Sequence, residues 1–219
     1  MGNHIGGSNP FLSARYLLVI YMNKKKDEEL IILRKFYSEI KYKIVKENEA
    51  PDFILADENN NPFGVEITRY FDTPTSGRFN NIPNYTEQLI NSEFVHKQDI
   101  GILTVGEIVK VDDNGNEISS PDTGVLRELP QSIERINALK NVVAEKNRKC
   151  VQQYDNSMPI DLLIYDEGDL IAGLEVQRKQ ILDYLHKQEN ANTIVSPFRK
   201  IILLIEDPDN GTIKILLKS

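Results

Sequence analysis

Residues 51–70 read PDFILADENNNPFGVEITRY. Phe53 to Ala56 is a short apolar run behind Pro51, Asp57 to Pro62 is dense in turn formers, and Gly64 to Tyr70 resumes extended character. The stretch predicts a β-hairpin. With the turn centred at Asn60, Asp52 lies across from Thr68, and Glu66 stands two residues from Thr68 on the same strand, hence on the same face. Facing and diagonal side chains of such a pair are about 5–8 Å apart. Two carboxylates and a hydroxyl therefore converge on one patch.

Upstream of the hairpin, Leu30, Leu33, Phe36, Tyr37 and Ile40 recur at helical spacing and predict a helix over 27–40. Lys41 to Lys46 alternates and reads as a strand. Downstream, residues 71–130 carry no single pattern. They hold a loop with Pro74 and Pro83, a short helix around Thr86 to His96, and a hairpin in which Glu107 to Val111 returns through Asp113-Asn114-Gly115. This stretch reads as an insertion. Asp112, Asn114 and Asn116 within it match turn chemistry and not a calcium loop, because the glycine and glutamate such a loop requires are missing. Gln131 to Tyr154 is the longest predicted helix, with Ile133, Ile136, Val143, Cys150 and Tyr154 on one stripe that Lys140 and Asn147 share. A strand at 160–165 follows, turning at Glu167 to Asp169 into Leu170 to Val176. A helix over 178–189 and a hairpin of Lys200 to Glu206 with Ile213 to Leu217 complete the chain.

The order of elements predicts an α/β fold: a mixed central sheet flanked by helices, with the 71–130 insertion and a C-terminal β-hairpin extension. Residues 1–25 read as a flexible leader, with Met22 as an alternative start, and 26–219 as one domain. A length of 219 residues suits one enlarged domain. The longest uncharged apolar run, Tyr16 to Met22, is too short to cross a bilayer, so no membrane partner is expected. Cys150 is the only cysteine, which leaves no internal disulfide and suits a reducing cytoplasm. A net charge of −7 argues against a basic field over the whole surface and leaves room for a local basic groove. Lysine and arginine do concentrate, at Arg34, Lys35, Lys41, Lys43 and Lys46, and again at Lys140, Lys146, Arg148 and Lys149. No glycine-rich phosphate loop, zinc-spaced Cys/His set or nucleophile elbow is present, and His4, His96 and His186 are dispersed.

Two adjacent carboxylates repel, and burial raises the cost, unless a cation neutralises them. One or two carboxylates plus water are what Mg²⁺ prefers. Such an ion polarises a phosphodiester, makes a nucleophile of bound water and stabilises the leaving oxygen. Those are the needs of nucleic-acid hydrolysis.

With Pro51-Asp52, Glu66-Ile67-Thr68 and the order helix, three strands, helix, strand, the chain resembles the PD-(D/E)XK nuclease superfamily, whose fold is restriction-endonuclease-like. The likeness covers about 27–70 and 131–166. It implies Asp52 and Glu66 as ligands of Mg²⁺ or Mn²⁺, assisted by the Ile67 carbonyl, with Glu29 as the helical acid. It implies DNA, or RNA, as the partner, and allows a homodimer. The chain departs from the family pattern at Thr68, which stands where a lysine is usual and carries no charge to stabilise a developing phosphorane. Lys140, breaking an apolar helix face, is the expected donor of the missing ammonium, so the catalytic set reads Asp52, Glu66, Thr68 and Lys140. Asp161 with Glu175-Val176-Gln177, and Lys179 nearby, repeats the same spacing and forms a second candidate. A catalytically silent module that binds nucleic acid or a protein is the alternative reading of Thr68 and the acidic balance.

Overall fold

Helix α1 occupies residues 25–36. It buries Ile32 and Leu33, spaced to face one side, and delivers Tyr37 just beyond its end. Three antiparallel strands follow: β1 (Lys43–Glu47), β2 (Phe53–Ala56) and β3 (Pro62–Tyr70). In the computed structural model, the described residues are 25–118, 122–127, 130–154, 157–166, 179–180, 183–184, 186–187, 195–207 and 211–219. Residues 1–24 of the expected leader, Met22 included, the 170–176 segment, Glu175 and Gln177 lie outside them, as does most of the helix expected over 178–189, while Lys25 opens α1.

The hairpin turns one residue earlier than the sequence suggests. Ala56 pairs with Pro62 and Phe53 with Val65, which centres the turn at Asn59. Asp57 sets this register: its carboxylate accepts the Asn59 and Asn61 amides at 2.9 and 2.8 Å, and Asn60 takes the left-handed conformation (φ 62°). Continued one step, the ladder puts Asp52 opposite Glu66, where Thr68 was expected.

The chain then leaves the sheet through α2 (Pro74–Asn81), α3 (Tyr85–Ile90), β4 (Leu103–Ile108) and β5 (Asp122–Arg127), and enters the long helix α4 (Ser132–Gln153). It returns as β6 (Ile160–Asp166), β7 (Lys200–Asp207) and β8 (Gly211–Lys218). The result is α/β: a six-stranded mixed sheet in the order β1-β2-β3-β6-β7-β8, with β6 and β7 parallel, and a separate two-stranded sheet of β4 and β5. No helix among the described residues is long and apolar enough to cross a membrane.

Two compact units divide the chain, one of residues 1–69, 146–168 and 185–219, the other of 70–145 and 169–184. The departure at Tyr70 coincides with the start of the expected insertion, whereas the second unit runs past 130 into α4. In the first unit, α1 packs on the sheet face carrying Phe53, Leu55, Phe63, Val65, Ile67, Leu163, Tyr165, Ile202 and Leu204. Each such side chain, taken from water, contributes about 1.5–3 kcal/mol. The second unit is held differently. Thr73 caps α2 through the Ser76 amide, with Pro74 in the first helical turn. Fully buried Asp99 accepts hydrogen bonds from Thr75 (2.9 Å), Arg78 Nε (2.7 Å) and the Tyr85 hydroxyl (2.7 Å). Buried Asp72 faces Arg127 and Arg135 at 3.6 and 3.5 Å.

Candidate functional site

Because β3 alternates, Glu66 emerges on the face opposite Val65 and Ile67, against the C-terminal half of α4. It is 1 % exposed. Its Oε1 takes the Lys146 ammonium at 2.8 Å and the Lys149 ammonium at 3.1 Å, while Oε2 is buried without a hydrogen-bond partner. Burial alone would raise this carboxyl, but the Lys146 charge and hydrogen bond, joined by the nearby Tyr154 hydroxyl and the Lys149 charge, outweigh it and hold Glu66 below the usual range. Burial and then the hydrogen-bonding pull and charge of the nearby Glu66 carboxylate push the Tyr154 hydroxyl far up, which keeps it protonated. Cys150, one turn earlier on α4, is buried, and burial followed by the Glu66 charge raises its thiol.

Asp52 directly precedes β2. Its Oδ2 accepts the Ile67 amide at 2.8 Å, and Oδ1 lies 3.4 Å from the Lys26 ammonium. Lys26 also reaches Glu29 at 3.0 Å and the Asn48 carbonyl at 2.7 Å, and Lys25 reaches Glu29 at 3.2 Å. Burial disfavours the Lys26 charge, yet the bond to Glu29 and the field of Asp52 hold its pKa above the ordinary value. Both acids are buried. Burial first, then the charge of Glu66, then that of Glu29, push Asp52 up to about 6. Asp52 thus stands in the field of both Glu66 and Glu29, with Lys26 touching Asp52 and Glu29 and the α4 lysines touching Glu66.

Asp52, Glu66, Glu29 and the Ile67 backbone come together. Thr68 is half-buried, its hydroxyl only 3.4 Å from the Arg69 carbonyl. Lys140 does not supply the ammonium at Glu66: it is exposed, and its Nζ stands 5.4 Å from the Tyr184 ring centroid. The buried stripe of α4 runs through Ile136, Leu139, Val143 and Cys150, and Ile133 is exposed. Lys146, three residues past Val143 and four before Cys150, is the charge that interrupts this stripe. That spacing is the signal which would have singled it out. Glu29 likewise sits at i+3 from Lys26, which marks Lys26 as a partner. In the second candidate, Asp161 is fully engaged by Arg199, at 2.8 Å (Nε) and 2.7 Å (Nη2), and by the Tyr37 hydroxyl at 2.5 Å. Its partners Glu175 and Gln177 lie outside the described residues, and Lys179 is exposed.

Among the described residues no group of three or more His, Cys, Asp or Glu side chains is arranged to hold a metal ion. The pair Asp52 and Glu66 nonetheless has the chemistry of a magnesium site, since that ion takes one or two carboxylates and keeps several waters. The unpartnered, buried Oε2 of Glu66 is a hard anionic donor of the required kind. Comparison with family models, with curated proteins and with solved structures finds no match for this chain.

Proposed function

We propose that the chain is a divalent-metal-dependent nuclease that hydrolyses DNA phosphodiester bonds on the restriction-endonuclease-like plan of the PD-(D/E)XK enzymes. One observation carries the reading: Asp52 and Glu66 are buried opposite each other on neighbouring strands, with Glu29 in reach of Asp52 and two lysines on Glu66. The order α1, β1 to β3, α4, β6 supports the plan. Asp52 and Glu66, with the Ile67 carbonyl, would hold Mg²⁺ or Mn²⁺, which when bound supplies a Lewis acid and an activated water. The Ile67 amide fixes Asp52, and Lys26 ties it to Glu29. Lys146 answers for the ammonium that Thr68 lacks: it stands at Glu66 in a half-dry setting, where a fixed positive charge stabilises charge building on a phosphoryl oxygen far better than in water. The Thr68 hydroxyl adds a hydrogen-bonding group for water. The test is cleavage of plasmid and single-stranded DNA with Mg²⁺ or Mn²⁺. Activity is expected in the natural protein and its loss in an Asp52→Ala, Glu66→Ala double variant; equal activity in the two refutes the assignment.

A silent nucleic-acid-binding module is the second reading, favoured by the full engagement of Glu66 Oε1 with two ammonium groups. Calorimetric titration with Mg²⁺ and Mn²⁺ separates the readings, because the silent module takes up neither ion at millimolar concentration and still binds DNA.

A further inference from the structure

Strand β1 is an edge of the six-stranded sheet, and its register slips between Ile44 and Lys46: Ile44 pairs with Leu55, Lys46 with Ile54. Val45 is the extra residue of a β-bulge. The bulge has a consequence for direction. In a regular strand Lys46 would share the face of Ile44, which packs on the core beneath α1. Paired instead with Ile54, it shares the face of Lys43, which pairs with Ala56. That is the face of Gly64, paired with Ile54, and of Glu66 two residues on. Glu47, paired with Phe53, is turned to the opposite side.

Lys43 and Lys46 are both exposed, and neither makes an ion pair or hydrogen bond among the described residues. Lys46 lies toward the acids: it sits opposite Ile54, two residues from Asp52, so its Cα is roughly 8 Å from that of Asp52 by strand geometry, while Lys43, opposite Ala56, continues the same face toward the hairpin turn. Lys149, one-third exposed, continues the positive charge at Glu66 on the same face. Two unneutralised cations in a row that runs along one face away from a carboxylate cluster, in a chain of net charge −7, complement a polyanion.

We infer that the β1 bulge aims Lys46 and Lys43 across the sheet as a phosphate rail, which holds the nucleic-acid backbone on one side of the acid cluster. The inference rests on the nuclease reading for its substrate class, but it concerns binding and has its own readout. One strand of a duplex carries a phosphate per about 3.4 Å of axis, so two lysines three residues apart meet neighbouring or next-neighbouring phosphates.

The experiment is fluorescence anisotropy of a labelled 20-mer, single-stranded and duplex, in EDTA between 50 and 200 mM salt. Natural protein, Lys43→Gln/Lys46→Gln and Lys43→Arg/Lys46→Arg are compared at full length. The glutamine variant should lose about 1.4–1.8 from the slope of log K against log salt, at roughly 0.7–0.9 per phosphate contact, and the arginine variant should keep the natural slope. Equal slopes for all three proteins overturn the rail. So does a glutamine variant that binds with the natural slope but self-associates in sizing experiments, because the lysines then only guard an open edge. A nuclease reading that fails shows up separately, as absence of cleavage with Mg²⁺ or Mn²⁺ in the natural protein.

Discussion

At the scale of single residues, Asp52 carries an energetic cost that has a pH signature. Its folded pKa lies above the unfolded value, so the folded protein binds a proton more readily between about pH 4 and 6. Stability therefore falls as pH rises through that window and stays lower above it. Asp52→Asn removes the charge and keeps an acceptor for the Ile67 amide. In EDTA it should be more stable than the natural protein above pH 6, by up to about 3 kcal/mol for a shift of two units, with the gain vanishing below about pH 4. Chemical denaturation across that pH range measures it, and a constant difference at every pH would show that burial of Asp52 is not the cause. Lys146 and Lys149 share one carboxylate oxygen but differ in burial, 17 % against 35 % exposed side chains. The drier ammonium stabilises more charge. Lys146→Gln should slow single-turnover DNA cleavage by about 100- to 1,000-fold, the range for loss of one preorganised electrostatic donor, and Lys149→Gln by an order of magnitude less. Equal losses would contradict the ranking.

Elements show where the sequence was readable and where it was not. Strand alternation around Pro51 to Tyr70 reveals the hairpin and puts Asp52 and Glu66 on one face, because moving the turn centre by one whole residue shifts the pairing by two and leaves every side chain on its own face. The register was off by one turn residue, since the deciding interaction is the Asp57 carboxylate folded back on its own loop. On α4 the sequence stripe runs through Ile133 and Lys140, whereas burial follows Leu139 and Lys146; at 3.6 residues per turn both tracks fit, and only packing distinguishes them. The bulge in β1 has no composition signal. Gly64 ties the two halves of the acidic motif together: a Cβ there would collide with the Pro51 ring and press on Ile160, and its amide donates to the Pro159 carbonyl at 2.9 Å. Gly64→Ala should cost about 1–3 kcal/mol through overpacking. Because the collision is with the residue beside Asp52, the same variant should weaken Mn²⁺ uptake. Thermal melting and calorimetry check both, and an alanine variant with natural stability would mean that Pro51 yields without cost.

Across the whole molecule, the two units rest on different physics. The first is an apolar sandwich of α1 on a sheet, the kind of core that hydrophobic periodicity announces. In the second, the described buried apolar residues are few, Tyr70, Tyr85, Leu89, Ile136 and Leu139 among them, and buried charge organises the rest. Thr75 and Arg78 come from α2, Tyr85 from α3 and Asp99 from the stretch that follows, polar groups with no apolar periodicity to betray them, which is why residues 71–130 show no single pattern and why α2 reads as loop in the sequence. A buried ion pair contributes little net stability against an apolar replacement, but breaking one side of it leaves a charge stranded, at a cost of about 3–5 kcal/mol. The Arg78 bond, with the Tyr85 and Thr75 hydroxyls, holds Asp99 well below the usual carboxylate range, so it remains charged at every working pH. Asp99→Ala strands Arg78 and takes from the Thr75 and Tyr85 hydroxyls their common acceptor at once, leaving them only the bonds they accept from Arg78 and the His96 amide. Hydrogen exchange should then lose protection across α2, α3 and the β4–β5 ladder, while β6 and β7, buried among their own apolar neighbours, exchange as before. Uniform loss over both sets of strands would mean that the Asp99 network supports the whole fold and not the second unit alone.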